Sequence, residues 1–196
     1  MPIPITHSEL LEHIARETAR MSYPGSMSRG NKPVVTKGTK AKLEEYFALS
    51  FPMCQVWSSA SQLAGISEYE CWHKDEIKKI AGAIKAHVSP HNNPKGVAAK
   101  FLNTFMHQLM KYEPYRPLLP ALHLPLDARV FLALSRQKSP ALKAVQKLFS
   151  SSPYSLSYAK HQAIQQALLA FIEELNQRLD AEFTVKSRIE LNWLWI

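Results

Sequence analysis

Apolar side chains recur at helical spacing along most of this 196-residue chain, and no two segments alternate as paired strands do. Small polar residues that can cap a first helical turn stand before several of these segments. Prolines break the pattern repeatedly, above all between Glu113 and Pro125. We therefore expect an all-α fold, a single helical domain of about nine helices over residues 1–196. Two lobes, about 1–90 and 91–196 with a cleft between them, are an alternative arrangement of the same helices.

The pattern places helices by periodicity, capping residues and stop signals. They are predicted at about 6–21, 39–49, 54–63, 67–88, 94–111, 127–136, 140–149 and 157–179. Segments 23–37 and 113–124 are predicted to be loop or extended chain, because proline and glycine interrupt them. The C-terminal segment 185–196 fits a short helix or a strand equally well.

Composition limits the class of protein. Hydrophobic residues make up 46% of the chain, which is enough for a sizeable core. The two cysteines, Cys54 and Cys71, are too few for a disulfide framework and suit a reducing cytoplasm. No apolar run approaches the roughly 20 residues that a membrane span needs. We expect a cytoplasmic protein without a membrane partner.

Charge indicates the class of partner. The chain carries 24 Lys and Arg against 16 Asp and Glu, a formal net charge of +8. Such an excess favours a polyanionic partner, with nucleic acid expected first and an anionic membrane surface second. Arg29 and Lys32 lie in the predicted loop 23–37, where they could contact phosphate or simply be solvated.

Two short segments near the middle of the chain carry the chemistry. Asn93 and Pro94 predict a helix start, with Gly96 in the first turn and Lys100 just beyond it. The free N–H groups of such a start can hold a phosphate. Asp127 stands at the start of a later helix, where an ordinary N-cap is the simpler interpretation. Lys100 has its own simpler interpretation as a surface lysine.

In combination these segments resemble the helix-hairpin-helix DNA glycosylases, the superfamily of endonuclease III and 8-oxoguanine DNA glycosylase. That family carries a Gly-Val-Gly-x-Lys hairpin followed by a Pro-Val-Asp-x-His-Val segment. Here Gly96-Val97-Ala98-Ala99-Lys100 and Pro125-Leu126-Asp127-Ala128-Arg129-Val130 correspond to them. The resemblance implies a helix-hairpin-helix-like centre and removal of a damaged base, with Lys100 as Schiff-base nucleophile and Asp127 as catalytic carboxylate.

The resemblance makes double-stranded DNA the predicted partner, and other residues are predicted to touch it either from their charge or from the resemblance. The predicted DNA contacts are Lys95, Gly96, Ala98, Arg29, Lys32 and Arg129. The predicted stacking partners of a flipped base are Trp57, Trp72 and Phe47. Core packing is the alternative for each aromatic residue.

No metal or other cofactor is predicted. His87 and His91 are separated by Ser89-Pro90, so one helix cannot present both to a metal ion. His123 stands isolated in the sequence. Two other functions remain open: a non-catalytic basic helical module that binds nucleic acid, and a helical subunit that binds a partner protein in a larger complex.

Overall fold

A computed structural model describes residues 7–23, 27, 33–50, 65–179 and 184–195. The all-α prediction is confirmed: within these ranges the chain forms helices and no β-strand, apart from a single bridge between Val35 and Val88. The count of about nine helices and the helix-hairpin-helix centre stay predictions. None of the described helices combines the length and apolarity that crossing a bilayer requires.

Seven α-helices follow one another along the described residues. They are α1 (His7–Ser22), α2 (Thr39–Glu45), α3 (Ile66–Ile84), α4 (Pro94–Leu109), α5 (Ala128–Ser135), α6 (Pro140–Lys143) and α7 (Tyr158–Asn176). A π-helical turn, Tyr46–Ser50, continues α2. Short 3-10 helices occupy Lys85–His87, Glu113–Ala121, Gln146–Ser150, Pro153–Ser155 and Arg188–Trp195.

The predicted helix starts around the central segments are confirmed. The side chains of Asn93, Asp127, Ser139 and Ser157 each accept a backbone N–H in the first turn of the following helix. Each bond satisfies one of the donors that a helix start leaves without an intrahelical partner. These caps fix where α4, α5, α6 and α7 begin.

Two segments differ from expectation, and a third, the C-terminal segment, takes one of its two expected forms. Segment 113–124 is largely a 3-10 helix, because Pro114, Pro117 and Pro120 recur every third residue and match three residues per turn. The predicted helix 140–149 is split into α6 and a 3-10 helix. The C-terminal segment is helical from Arg188 to Trp195. The predicted helix 54–63 lies outside the described residues.

The buried apolar residues form two clusters. The first takes its members from α1 through Leu122, together with Ile189 from the C-terminal 3-10 helix, and includes the inward face of α4. The second begins at Leu124 and includes α5 and α7. Apart from Ile189, the change from one cluster to the other falls at His123. The two-lobe arrangement stays a prediction, and the functional residues below lie where the two clusters adjoin.

Candidate functional site

Lys100 and Asp127, predicted from separate segments, lie side by side in the structure. Lys100 stands in the second turn of α4, and Asp127 is the N-cap of α5. The Lys100 Nζ is 3.4 Å from Asp127 Oδ2. The pair thus joins a helix of the first apolar cluster to a helix of the second.

Asp127 uses its two carboxylate oxygens differently. Oδ1 accepts the backbone N–H of Val130 at 2.9 Å, which is the capping bond of α5. Oδ2 faces the ammonium of Lys100. Both interpretations of Asp127 from the sequence, the helix cap and the partner of Lys100, therefore describe real contacts of one side chain.

Lys100 is unusually enclosed for a lysine. The residue is 8% exposed, whereas the side chain of Asp127 is 42% exposed. Burial lowers the pKa of the Lys100 ammonium, and the neighbouring Asp127 carboxylate raises it again in part. The net effect is a lowered pKa, so Lys100 loses its proton more readily and becomes the neutral, nucleophilic amine. Lys100 Nζ also lies 5.9 Å from the centre of the Tyr154 ring.

A cavity of about 1000 Å³ opens beside the pair. Phe131 and Phe149, whose ring centres are 5.5 Å apart, form an apolar part of its wall. The segment 151–154 forms another part, with two serine hydroxyls and the Tyr154 ring. The volume is at the upper end of the roughly 300–1,000 Å³ of small-molecule sites. Mixed apolar and hydroxyl lining suits a flat polar ring such as a nucleobase.

Gly96 explains how segment 151–154 reaches this position. A Cβ at Gly96 would lie 2.8 Å from the backbone oxygens of both Tyr154 and Leu156. The Asn93 N–H donates to the Tyr154 oxygen at 2.9 Å, which fixes the segment against the start of α4. The missing side chain of Gly96 therefore allows the cavity wall to pack directly on α4.

This packing corrects the predicted phosphate contacts of Gly96 and Ala98. Both residues are buried, because the start of α4 is covered by the segment around Tyr154. Lys95, which lies in the first turn of α4 just before Gly96, is exposed. Arg129 is exposed as well and lines the cavity. Arg29 and Lys32 lie outside the described residues.

The two predicted stacking residues that the structure describes, Phe47 and Trp72, do not line the cavity. Phe47 is fully buried, and its ring centre lies 4.1 Å from that of Phe105 and 5.2 Å from that of Phe101. It is a core residue instead, because its ring packs against these two residues of α4. Trp72 is half-buried beside Tyr69, with ring centres 5.5 Å apart. Trp57 lies outside the described residues.

Sequence reasoning missed two features near the site. The first is the cavity wall 151–154, since Ser-Ser-Pro-Tyr reads as a simple connection in sequence. The second is a meeting of His73, His123 and His161 in the interior, described below. Only the packing of α4 against distant segments brings either feature together.

Comparisons with protein-family models, with curated proteins and with solved structures find no match to this chain. The functional interpretation therefore depends on the site itself.

Proposed function

We propose that this protein is a base-excision DNA glycosylase that uses Lys100 as its nucleophile and Asp127 as its catalytic carboxylate. The observation that carries the proposal is the 3.4 Å approach of Lys100 Nζ to Asp127 Oδ2 at the wall of the 1000 Å³ cavity. The net charge of +8 supplies the attraction to DNA that such an enzyme needs.

The cavity would receive the damaged base after it is rotated out of the duplex. Tyr154 and Phe149 are aromatic residues of the wall, so they take the stacking role expected from Phe47 and Trp72. The serine hydroxyls at 151 and 152 could donate to or accept from the edge of the base. The exposed Arg129 would lie at the rim, beside the phosphate backbone.

Lys100 must lose a proton before it can attack, and Asp127 is placed to accept it. The amine then forms a bond to C1′ of the sugar while the bond from C1′ to the base nitrogen breaks. The base leaves with that electron pair and takes the proton that Asp127 received from Lys100, so Asp127 becomes a carboxylate again. One proton then moves from the bonded nitrogen to the ring oxygen O4′ as the C1′–O4′ bond breaks, which leaves a protonated imine between Lys100 and C1′. With its charge restored, Asp127 would stabilise the positive charge on this sugar adduct.

Borohydride trapping tests this proposal directly, because borohydride reduces the imine to a stable covalent adduct. The wild-type chain would be incubated with duplexes that each carry one damaged base or an abasic site. We expect an adduct with at least one duplex, and none with Lys100→Gln. Lys74→Gln is the matched control, since Lys74 is an exposed lysine of α3 outside the cavity. It should trap as the wild type does.

An adduct that persists in Lys100→Gln would rule out Lys100 as the nucleophile. No adduct and no released base on any duplex would leave the protein without glycosylase function. The alternative is a non-catalytic DNA-binding module, and the net charge of +8 is consistent with it as well. In that case the cap and the ion pair of Asp127 would have a structural role alone. Its signature would be DNA affinity that falls steeply with salt, without any product.

A further inference from the structure

Three histidines from distant parts of the chain meet in the interior. We call them the histidine cluster: His73 on α3, His123 between the Glu113–Ala121 helix and α5, and His161 on α7. They are 0%, 0% and 3% exposed, respectively. One ring nitrogen of each lies within 4.8 Å of the corresponding nitrogens of the other two. Among the described residues, this is the group with the composition and spacing of a metal site.

The ring separations agree with three imidazoles around one ion. The ring centres are 4.2 Å apart for His73 and His123, 5.5 Å for His123 and His161, and 6.0 Å for His73 and His161. With Zn–N bonds of about 2.0–2.1 Å in tetrahedral geometry, the ring centres of two ligating histidines lie about 5 Å apart. The observed separations scatter around this value, so small rotations of the side chains would bring the nitrogens to bonding distance.

The hydrogen bonding of the cluster is incomplete. Neither ring nitrogen of His123 has a hydrogen-bond partner, although the ring is fully buried. Buried polar atoms of this kind are uncommon and call for an explanation such as an ion. Asn103 contacts the other two histidines, with Oδ1 2.6 Å from His73 Nε2 and Nδ2 3.3 Å from His161 Nε2. Asn103 therefore contacts two of the three rings of the cluster.

The charge around the cluster can tolerate a cation. Burial, more than any other influence, lowers the pKa of all three histidines, so they are the neutral imidazoles that ligate metals. Glu70 Oε1 lies 3.8 Å from His123 Nε2 and 3.6 Å from Arg188 Nη1. The positive charge of Arg188 also lowers the pKa of all three histidines, and the carboxylate of Glu70 offsets part of that charge. A carboxylate beside a ligating histidine is also the usual outer partner in zinc sites.

We propose that the histidine cluster binds one divalent transition-metal ion, with Zn²⁺ the best chemical fit, through one nitrogen each of His73, His123 and His161. Asn103 or a water molecule completes the coordination. The ion would link α3 and α7, which belong to different apolar clusters. It would lie next to α4, the helix that carries both Lys100 and Asn103. This role is structural and independent of the proposed glycosylase chemistry.

The test uses untagged full-length protein, because an affinity tag of histidines would itself bind metal. The protein is stripped with a chelator, and Zn²⁺ alone is then titrated. We expect about one tightly held Zn²⁺ per chain and a higher melting temperature, since an ion that binds only the folded state stabilises it. His123→Gln should abolish both effects. His91→Gln, at an exposed histidine outside the cluster, should retain both.

A wild-type chain that takes up no stoichiometric Zn²⁺, or a His123→Gln variant that binds Zn²⁺ as tightly as wild type, would overturn the proposal. If His123→Gln does not fold, the wild-type Co²⁺ complex decides the question. Co²⁺ shifts the ring protons of its histidine ligands far outside the ordinary NMR range. Signals from three imidazole N–H groups support the site, and fewer than three, or no Co²⁺ bound, overturn it.

Discussion

Replacement of Gly96 by alanine tests the packing that holds the cavity wall against α4. The new Cβ would lie 2.8 Å from the backbone oxygens of Tyr154 and Leu156, whereas ordinary contacts are 3.4–4 Å. Both obstacles are backbone atoms, so a rotamer change cannot relieve the contact. Overpacking of this kind costs roughly 1–3 kcal/mol of unfolding free energy. Helix propensity opposes it by up to about 1 kcal/mol, since alanine is favoured over glycine in a helix.

Gly82→Ala separates these two effects. Gly82 is also helical, in α3, and a Cβ there would meet nothing within 4 Å. Gly82→Ala should therefore show only the gain in helix propensity, about 0.5–1 kcal/mol. The difference between the two variants isolates the clash, again roughly 1–3 kcal/mol, or a melting temperature lower by about 2–12 °C for Gly96→Ala than for Gly82→Ala.

Urea unfolding followed by far-UV circular dichroism measures both free energies. Because Tyr154 lines the cavity, Gly96→Ala should also weaken any activity of the site, while Gly82→Ala should not. Equal stabilisation by the two substitutions would refute the close packing of segment 154–156 on α4. It would also reopen a role for Gly96 in approach to phosphate.

Three further predictions concern buried charge and the helix cap. Asp127→Ala should lower stability by about 1 kcal/mol through loss of the α5 cap, as measured by urea unfolding, whereas Asp127→Asn should keep the cap and most of that stability. Acid should destabilise the fold. Burial and the charge of Arg188 hold the pKa of His161 at about 3. Burial and neighbouring charged groups hold the pKa values of His73 and His123 well below 6.5. Below about pH 6.5 the unfolded chain therefore binds more protons than the folded one. The free energy of unfolding keeps its full value above about pH 6.5 and falls below it by up to about 1.4 kcal/mol per pH unit for each histidine. Urea unfolding at pH 7 and at pH 5 measures this loss. Arg188→Leu should cost about 3–5 kcal/mol in the same assay, because it leaves Glu70 without its buried partner, and adding Glu70→Gln should recover part of the loss.

Local features of this fold could be predicted from the sequence because they depend on neighbours in the chain. Asn93, Ser139 and Ser157 precede helices and cap them, as their side-chain oxygens allow. The 3-10 helix at Glu113–Ala121 was missed for a related reason. Proline at these positions excludes a regular α-helix. A proline at every third residue is compatible with a 3-10 helix as well as with the predicted extended chain, and these two conformations differ little in local energy.

Features that depend on tertiary packing could not be predicted in this way. An aromatic residue at helical spacing, such as Phe47, fits a core position and an exposed stacking position equally well, and only the neighbouring Phe101 and Phe105 decide between them. His123 is isolated in the sequence, and only the packing of α3 and α7 against α4 brings His73 and His161 together beside it. A metal site built from such separated residues leaves no spacing signature for a motif to match.

Asp127 shows why a structural and a catalytic interpretation of one residue need not compete. Its Oδ1 accepts the N–H of Val130, and this bond holds the carboxylate at a fixed place at the start of α5. Its Oδ2 is thereby directed at Lys100, which the packing of Gly96 and Tyr154 encloses from the other side. The cap thus supplies the orientation that a catalytic carboxylate requires. The stability of Asp127 variants reports only on the cap, because the cap is formed whether or not chemistry occurs. Borohydride trapping with Asp127→Asn reports on catalysis, since the amide keeps an oxygen for Val130 but removes the charge that Lys100 faces.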